Sequence, residues 1–352
     1  MARITQANAK AERVLTLREL NRALLERQLL LKRRRLAAPG AIERLCALQA
    51  QYSPSPYIAL WSRVMGFRKE QLTRALEERK VVKSTLFRIT LHMTSARDYP
   101  YFAAAWLPAA QEMTPRVTVE KAAQLSRKVY AAARKQVTHE QLEKIAANEM
   151  GGRWRVRTLA PLLHVPPSGT WGFHGRPELL VMEAWLGVEL PTREEGAKHL
   201  VRSYLASFGP ATQQDLLRFA GVRIGDLRSG VDQLELRAFR DERGRVLLDL
   251  PRGPLPAGDI PAPVRFLPKW DSALLAYAPP ERTRILPEKF RSTVIRKNGD
   301  VLPTVLVDGF VAATWNVDKK RGLEIEPLRK LTKVERAEIE EEGDELVAFI
   351  RS

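Results

Sequence analysis

The sequence predicts an α+β fold made of three tandem winged helix-turn-helix units with an additional C-terminal β-rich region. One observation behind this prediction is a motif in which Thr precedes Glu, Gln or Asp by three residues, at Thr16, Thr138 and Thr212. The spacing is typical of a capping box, in which the two side chains bond backbone amides at a helix start. The other observation is the order of elements that follows, because helix, turn, second helix and hairpin is the order of a winged helix.

Four segments are predicted along the chain. The first has helices near residues 16–36, 39–50 and 69–80 and closes with the strand-like pair VVKSTLF and ITLHMTS. The second runs from THEQLEKIAANEM to PPSGTWGFHG, and the third from TQQDLLRFAGV to the candidate hairpin ELRAFRDERGRVLLDL. The alternative interpretation is three unrelated α+β segments. The predicted boundaries are 1–115, 116–190 and 191–255 for the three units and 256–352 for the C-terminal region.

The C-terminal region differs from the units before it. It follows a proline-rich stretch, PRGPLPAGDIPAPV, which is predicted to be a linker. Strand-like segments VRFLPKWDSALLAY, TVIRKNGDVLPTVLVDGFVAATW and LEIEPL follow, with tight turns expected at Asn298-Gly299 and Asp308-Gly309. The last segment, KVERAEIEEEGDELVAFI, predicts an acidic helix that closes the fold and lies away from DNA.

Positive charge is concentrated near the start of the chain. The 352 residues include 58 Lys and Arg against 41 Asp and Glu, a net charge of +17. Residues 1–100 alone hold 20 basic and 8 acidic residues, a net of +12. Such a field favours a polyanionic partner, since bound phosphates release their counterions. Nucleic acid is therefore the favoured partner, with a solvated basic surface as the alternative.

Several classes of protein are excluded by absent motifs. The chain has neither a phosphate-binding P-loop, nor a dinucleotide-binding glycine motif, nor a G-x-S-x-G elbow. The single cysteine, Cys46, excludes an intramolecular disulfide, and the five histidines lack metal-ligand spacing. No metal and no cofactor is predicted. Without a signal peptide or an apolar run of about 18 residues, the protein is expected to be cytoplasmic, nucleoid-associated and monomeric, with no membrane partner.

The stretch LQAQYSPSP contains two glutamines, Gln49 and Gln51, that are two residues apart. On a helix these positions face different directions, whereas in an extended segment they share a face. Pro54 and Pro56 favour extended backbone before them and make a helix unlikely just beyond. Both amides are therefore expected to point into one space. The alternative is that they cap a helix end and bond backbone amides.

Basic side chains around this stretch are candidates for DNA contact. The run at residues 32–35 follows a predicted helix, where cations are also favoured by the helix dipole. Arg88 and His92 lie four apart on one face of a predicted β-ribbon, which could enter a groove or be an ordinary solvent face. The candidates are Arg33, Arg34, Arg35, Arg63, Lys83, Arg88 and His92.

The segments LQAQYSPSPYIALWSR, RITLHMTSARDYP, GPATQQDLLRFAG, LPKWDSALLAY and VLVDGFVAATW together resemble the AlkZ/YcaQ-type winged-helix DNA glycosylases. The resemblance spans roughly residues 15–330. Its most specific element is a Gln–apolar–Gln or Gln–apolar–Asp motif, which reads Gln49-Ala50-Gln51 here. It implies three winged helices around a basic channel, a β-hairpin that contacts DNA, and monofunctional excision of bulky alkylated bases. It also implies that Gln49 and Gln51 are catalytic.

The chemistry of a carboxamide fits such a reaction. Glutamine does not titrate near neutral pH, so it is a poor general base, but its carbonyl can orient a water and its dipole can stabilise developing charge. That suits cationic lesions in double-stranded DNA, such as N7-alkylguanine or N3-alkyladenine, whose bases leave readily. No lysine adjoins the motif as a Schiff-base nucleophile, which agrees with monofunctional action. Bulky adducts and interstrand crosslinks are further candidate substrates, because an open channel avoids full base flipping.

Two other functions are compatible with the same sequence. A DNA-binding transcriptional regulator would use winged helices without catalysis, and it would show sequence-specific binding. A resistance protein that sequesters a DNA-reactive toxin would bind the free toxin without DNA.

Overall fold

A computed structural model describes residues 11–112, 118–150, 153–279, 281–318 and 321–352. The described chain forms a mixed α+β fold, as the sequence predicts. The α-helices are α1 (Leu17–Arg27), α2 (Ala38–Arg44), α3 (Pro54–Trp61), α4 (Lys69–Glu77), α5 (Tyr99–Glu112), α6 (Val119–Ala132), α7 (His139–Met150), α8 (Met182–Leu186), α9 (Arg193–Phe208), α10 (Gln213–Ala220), α11 (Ile224–Asp232), α12 (Ser272–Leu275), α13 (Arg291–Val294) and α14 (Lys333–Arg351).

The strands are β1 (Val14–Leu15), β2 (Leu48–Gln49), β3 (Val81–Leu86), β4 (Thr90–Ser95), β5 (Val137–Thr138), β6 (Leu162–His164), β7 (Glu178–Val181), β8 (Arg237–Asp241), β9 (Val246–Asp249), β10 (Arg265–Leu267), β11 (Thr304–Val307), β12 (Phe310–Asp318) and β13 (Gly322–Pro327). Short 3₁₀ helices span Phe87–Ile89, Arg153–Thr158, Glu281–Arg284 and Glu288–Phe290.

The capping motifs begin helices as predicted. At α1 the Thr16 hydroxyl accepts from the Glu19 amide, and the Glu19 carboxylate accepts from the Thr16 amide at 2.8 Å. Thr212 and Asp215 form the same reciprocal pair at α10. At α7 the Thr138 amide donates to the Gln141 side chain at 2.8 Å, and the Gln141 amide donates back to the Thr138 hydroxyl. All three predicted helix starts are confirmed.

The first segment has shorter helices than predicted. Helix α1 ends at Arg27, because Leu29 adopts a left-handed backbone with φ of 57°. Helix α2 ends at Arg44, and Cys46, with φ of 68°, redirects the chain into β2. The expectation that Pro54 disfavours a helix is wrong. Pro54 lies in the first turn of α3. A backbone N–H at this position would have no intrahelical acceptor, so the proline costs the helix no hydrogen bond.

Sheet pairing crosses the predicted segment boundaries. One sheet has the order β2-β4-β3-β6-β7-β5, in which β3 pairs antiparallel with β6 through Lys83↔His164. A second sheet joins β1 to the β8–β9 hairpin, and a third has the order β10-β11-β12-β13. The first two predicted units thus share a sheet in the described chain.

The C-terminal region is less uniformly β than predicted. The turn at Asp308-Gly309 joins β11 to β12 as expected, with Gly309 at φ of 82°. The stretch LPKWDSALLAY, however, contains helix α12, because the Asp271 side chain caps it by accepting from the Ala273 amide at 3.0 Å. The proline-rich stretch before β10 carries neither helix nor strand.

The closing helix α14 packs as predicted. It buries Ile339, Leu346 and Phe349, and a Cβ at Gly343 would lie 2.5 Å from Leu323 Cδ2 of β13. These apolar residues share one core with α2, α3, β10 and β12. The Gln-Ala-Gln segment is therefore packed against the C-terminal sheet. In the part of the chain that the structure describes, no helix is long and apolar enough to cross a membrane.

Candidate active site

Gln49 and Gln51 lie where the chain passes from strand β2 into helix α3. Strand β2 pairs antiparallel with β4 through Leu48↔Met93 and Gln49↔His92. The Ala50 amide extends this pairing by donating to the Leu91 carbonyl at 2.7 Å. The backbone is thus extended through Ala50 and bends at Gln51, so the extended conformation that the spacing predicts covers only part of the motif. The adjacent α3 then fixes where the segment ends.

The Gln49 amide is buried and incompletely bonded. The residue is 7% exposed, and its side-chain oxygen Oε1 has no hydrogen-bond partner among the described residues. Leaving such an acceptor unmatched costs about 1–3 kcal/mol, so an unmatched group in a native fold calls for a ligand or water partner. Gln49 Oε1 can therefore accept a hydrogen bond from a water or a ligand.

Gln51 is exposed and lines a cleft of about 630 Å³. The cleft gathers residues from α3, from the loop before β7, and from the C-terminal sheet. Its polar and aromatic walls include Gln51, Tyr52, Trp171, Lys269, Trp270 and Trp315. The two glutamines thus differ in setting, one buried in β2 and one on an open cleft.

The aromatic residues of this cleft were not predicted from the sequence. They come from four separate segments of the chain, so nothing in their spacing brings them together. Two local features of the sequence point to these aromatic residues. Tyr52 directly follows Gln51, and Trp270 lies within LPKWDS.

Arg63 is a structural residue, and its predicted contact with phosphate is wrong. The residue is 1% exposed. Its Nη2 donates to Asp271 Oδ1 at 2.8 Å, Nε donates to the Gln28 carbonyl and Nη1 to the Ala59 carbonyl, both at 3.0 Å. Because the residue is buried and its three nitrogens are engaged inside the protein, the guanidinium cannot reach a DNA phosphate.

Arg88 and His92 also face the interior, so the β3–β4 hairpin does not present them to a groove. The Arg88 guanidinium donates to the Phe219 carbonyl of α10, and burial with nearby Arg282 and Arg218 lowers its pKa to about 10. His92 is 1% exposed, and its Nδ1–H donates to the Thr90 carbonyl at 3.0 Å. Burial, aided by Arg88, lowers the pKa of His92 to about 3, so the ring is neutral.

Lys83 is buried on the other face of the same sheet. It is 5% exposed, and Gly169 packs so closely that an added Cβ would lie 3.1 Å from Lys83 Cδ. Burial, together with the charge of Arg157, lowers the pKa of Lys83 to about 8. Its register partner is Met93, whereas Gln49 pairs with His92, so Lys83 and Gln49 project from opposite faces. Lys83 does not offer the exposed cation that was predicted.

The arginine run after α1 is divided between interior and surface. Arg33 donates to Glu342 of α14 at 2.6 Å and lies over the Trp61 ring at 4.8 Å. Arg34 pairs with Glu26 at 3.0 Å and stays half-exposed, and Arg35 is exposed. Of the predicted DNA contacts, Arg34 and Arg35 have the accessibility that the role needs.

A metal site does not emerge from the described residues, since no three or more His, Cys, Asp and Glu side chains there are grouped to hold an ion. The buried Cys46 thiol stands apart, and burial raises its pKa well above the ordinary value.

The comparison with protein families defines the class of this enzyme. Residues 42–349 match the family described as "DNA glycosylase AlkZ-like", and the chain belongs to that family and is a DNA glycosylase. The interstrand DNA cross-link repair glycosylase of Streptomyces sahachiroi is 23% identical over 324 residues, which cover 83% of this chain and 85% of that protein. The solved structure of Streptomyces sahachiroi DNA glycosylase AlkZ superposes with a TM-score of 0.81 at 19% identity, over 96% of each chain.

Proposed function

We propose that the protein is a monofunctional glycosylase that hydrolyses the N-glycosidic bond of cationic alkylated purines in double-stranded DNA. N7-alkylguanine is the main substrate class, with N3-alkyladenine, bulky adducts and interstrand crosslinks included. The observation that carries the proposal is that Gln49 Oε1 is buried without a hydrogen-bond partner in the described part of the chain, while Gln51, two residues later, lines the cleft.

The proposed reaction needs little acid or base help. The bond between C1′ and the purine N9 breaks, and an alkylated base that carries positive charge leaves as a neutral molecule. The sugar passes through an oxocarbenium-like state, as in glycoside hydrolysis. Water then adds to C1′ and releases its proton to solvent. Gln49 and Gln51 accept hydrogen bonds from that water and orient their carbonyl dipoles toward the positive sugar.

Monofunctional action is supported by the placement of Lys83. This amine is the buried lysine of the sheet that carries the motif, and it projects from the face opposite to Gln49. A Schiff base at C1′ would need an amine on the side of the glutamines, and Lys269 of the cleft wall is instead paired with Asp300 at 3.4 Å. We therefore take water to be the nucleophile.

The architecture we propose is three tandem winged helices with boundaries at 1–115, 116–190 and 191–255. Supporting this, the hairpins β3–β4, β6–β7 and β8–β9 each follow helices in the order that a winged helix requires. Arg34 and Arg35 are the proposed phosphate contacts. Action as a monomer on the nucleoid remains a prediction from the sequence.

The test is excision from a duplex oligonucleotide that contains one N7-methylguanine, followed by alkaline cleavage of abasic sites. Gln49→Ala and Gln51→Ala should each reduce single-turnover excision by about 100-fold, the usual effect of removing one preorganised dipole. Gln124→Ala is the matched control, because Gln124 is exposed on α6. Unchanged excision in both glutamine variants, with binding intact, would overturn the assignment.

A further inference from the structure

Three arginines from separate segments of the chain come together at helix α10. Arg218 belongs to the last turn of the helix itself, Arg88 lies at the tip of the β3–β4 hairpin, and Arg282 lies in the 3₁₀ helix Glu281–Arg284. The hairpin tip is bound to α10 because the Arg88 guanidinium donates to the Phe219 carbonyl and lies over the Phe219 ring at 5.5 Å. Arg88 and Arg218 are therefore neighbours although they are far apart in sequence.

The segment that carries Arg282 is fixed against the same helix. The Ala278 amide donates to Asp215 Oδ1 of α10 at 2.9 Å, and Arg282 Nε donates to the Tyr277 carbonyl at 3.0 Å. Asp215 is 0% exposed, and its other oxygen accepts from the Thr212 amide at 2.9 Å. Both oxygens of this carboxylate are thus engaged by backbone groups inside the fold.

The positive charges of these arginines are poorly compensated. In the described parts of the chain, no carboxylate forms an ion pair with Arg88, Arg218 or Arg282. Burial, followed by the charges of Arg282 and Arg218, lowers the pKa of Arg88 to about 10. Burial, followed by the charges of Arg218 and Arg291, also lowers the pKa of Arg282, although Asp215 opposes this shift. A bound anion would relieve this mutual repulsion.

We propose that this arginine cluster, Arg88, Arg218 and Arg282, binds a phosphodiester group of the DNA backbone. Arg218 is exposed and Arg282 is half-buried, so these two supply the contacts and Arg88 supplies a buried supporting charge. The planar fork of a guanidinium matches two phosphate oxygens. The inference goes beyond the proposed function, which places the phosphate contacts at Arg34 and Arg35.

The hairpin connects the arginine cluster to the Gln-Ala-Gln motif. Gln49 pairs with His92 of β4, which follows Arg88 by four residues, so at most about 13 Å of chain separates the two backbones. The tip is tightly fixed, because Arg88 and Ile89 both have left-handed backbones and a Cβ at Gly221 would lie 2.9 Å from the Arg88 nitrogen. A bound phosphate would therefore hold a DNA strand in register with Gln49. This last step rests on the proposed function.

The experiment compares wild type with Arg218→Gln and Arg282→Gln. Arg336→Gln is the matched control, because Arg336 is exposed on the acidic helix α14 and its replacement removes the same charge. Affinity for an undamaged duplex is measured by fluorescence anisotropy at several salt concentrations. Melting temperature is measured at low salt, with and without inorganic phosphate.

We expect Arg218→Gln to weaken DNA binding by about ten-fold at about 0.1 M salt and to reduce the slope of log K against log salt by about 1. The same variant should melt about 1–3 °C higher than wild type at low salt, because a repelling charge is removed. Inorganic phosphate should raise the melting temperature of wild type more than that of Arg218→Gln. Arg282→Gln should also weaken DNA binding, and Arg336→Gln should match wild type.

Two results would overturn the arginine cluster as a phosphate site. If Arg218 only offsets the negative end of the α10 dipole, Arg218→Gln would melt lower than wild type and bind DNA unchanged. Equal losses of affinity in Arg218→Gln and Arg336→Gln would show an effect of net charge alone. If Arg282→Gln does not fold, the exposed Arg218 decides the outcome. Neither measurement uses a damaged base, so a failure to excise N7-methylguanine would contradict the proposed function and leave this test intact.

Discussion

Arg63 and Asp271 form a buried ion pair that joins helix α3 to the start of helix α12. Nη2 and Oδ1 are 2.8 Å apart, and each side chain is 1% exposed. Helix α3 directly follows the Gln-Ala-Gln motif, and Asp271 directly follows Trp270. The pair therefore ties together two walls of the same cleft, contributed by segments about two hundred residues apart in sequence.

Breaking this pair should be strongly destabilising. Asp271→Ala leaves the Arg63 guanidinium buried without a counter-charge and removes the cap of α12, so we expect a loss of about 3–5 kcal/mol in the free energy of unfolding. Urea denaturation measures it. Replacing both residues, as in Arg63→Met with Asp271→Ala, should recover part of the loss, because no unpaired charge remains. A single variant as stable as wild type would contradict this account.

Lys83 should destabilise the protein at neutral pH. Its folded pKa of about 8 lies below the ordinary lysine value of 10.5, so the unfolded chain binds more protons between these values. The contribution of Lys83 to the free energy of unfolding therefore rises as the pH increases from about 8 to 10.5, and it is lowest below pH 8. Lys83→Met should raise the free energy of unfolding at pH 7 by about 1–3 kcal/mol, with a smaller gain at pH 10. A gain that is the same at both pH values would refute the linkage.

The same variant separates structure from DNA contact. If Lys83 only packs inside the sheet, Lys83→Met should leave both DNA affinity and its dependence on salt unchanged. A fall in DNA affinity would indicate that Lys83 contacts DNA.

Local signals in the sequence were sufficient for the three capped helix starts and for part of the Gln-Ala-Gln motif. The capping pairs at Thr16, Thr138 and Thr212 depend on side chains three residues apart, so they could be predicted without tertiary knowledge. The extended backbone at Gln49 was predicted from the spacing of the motif and the prolines beyond it, whereas the bend at Gln51 was not. The burial of Arg63 and Arg88 could not be predicted, since their partners Asp271 and Phe219 are distant in sequence. The aromatic cleft was missed for the same reason.

The free energy of unfolding should fall as the pH decreases from 6.5 to 4, because the buried histidines stay neutral in the folded protein. Burial lowers the pKa of His92 to about 3, and that of His164 well below its ordinary value. In this pH window the unfolded chain binds protons that the folded protein does not, so each histidine contributes a loss of about 1.4 kcal/mol per pH unit. Urea denaturation across this range should show a smaller slope for His92→Gln, which does not titrate. An unchanged slope would mean that His92 titrates normally in the fold.

Binding to undamaged duplex should be steeply dependent on salt, and Arg35 should contribute more to this dependence than Arg33. Arg35 is exposed, whereas the charge of Arg33 is offset by Glu342 at 2.6 Å. Each phosphate contact that is lost reduces the slope of log K against log salt by about 1. Arg35→Ala should show this reduction in fluorescence anisotropy titrations at several salt concentrations. Arg33→Ala should change the slope little but lower thermal stability, because Glu342 of α14 is left half-buried without its closest cation. Equal slopes for Arg35→Ala and wild type would place the DNA path elsewhere on the basic surface.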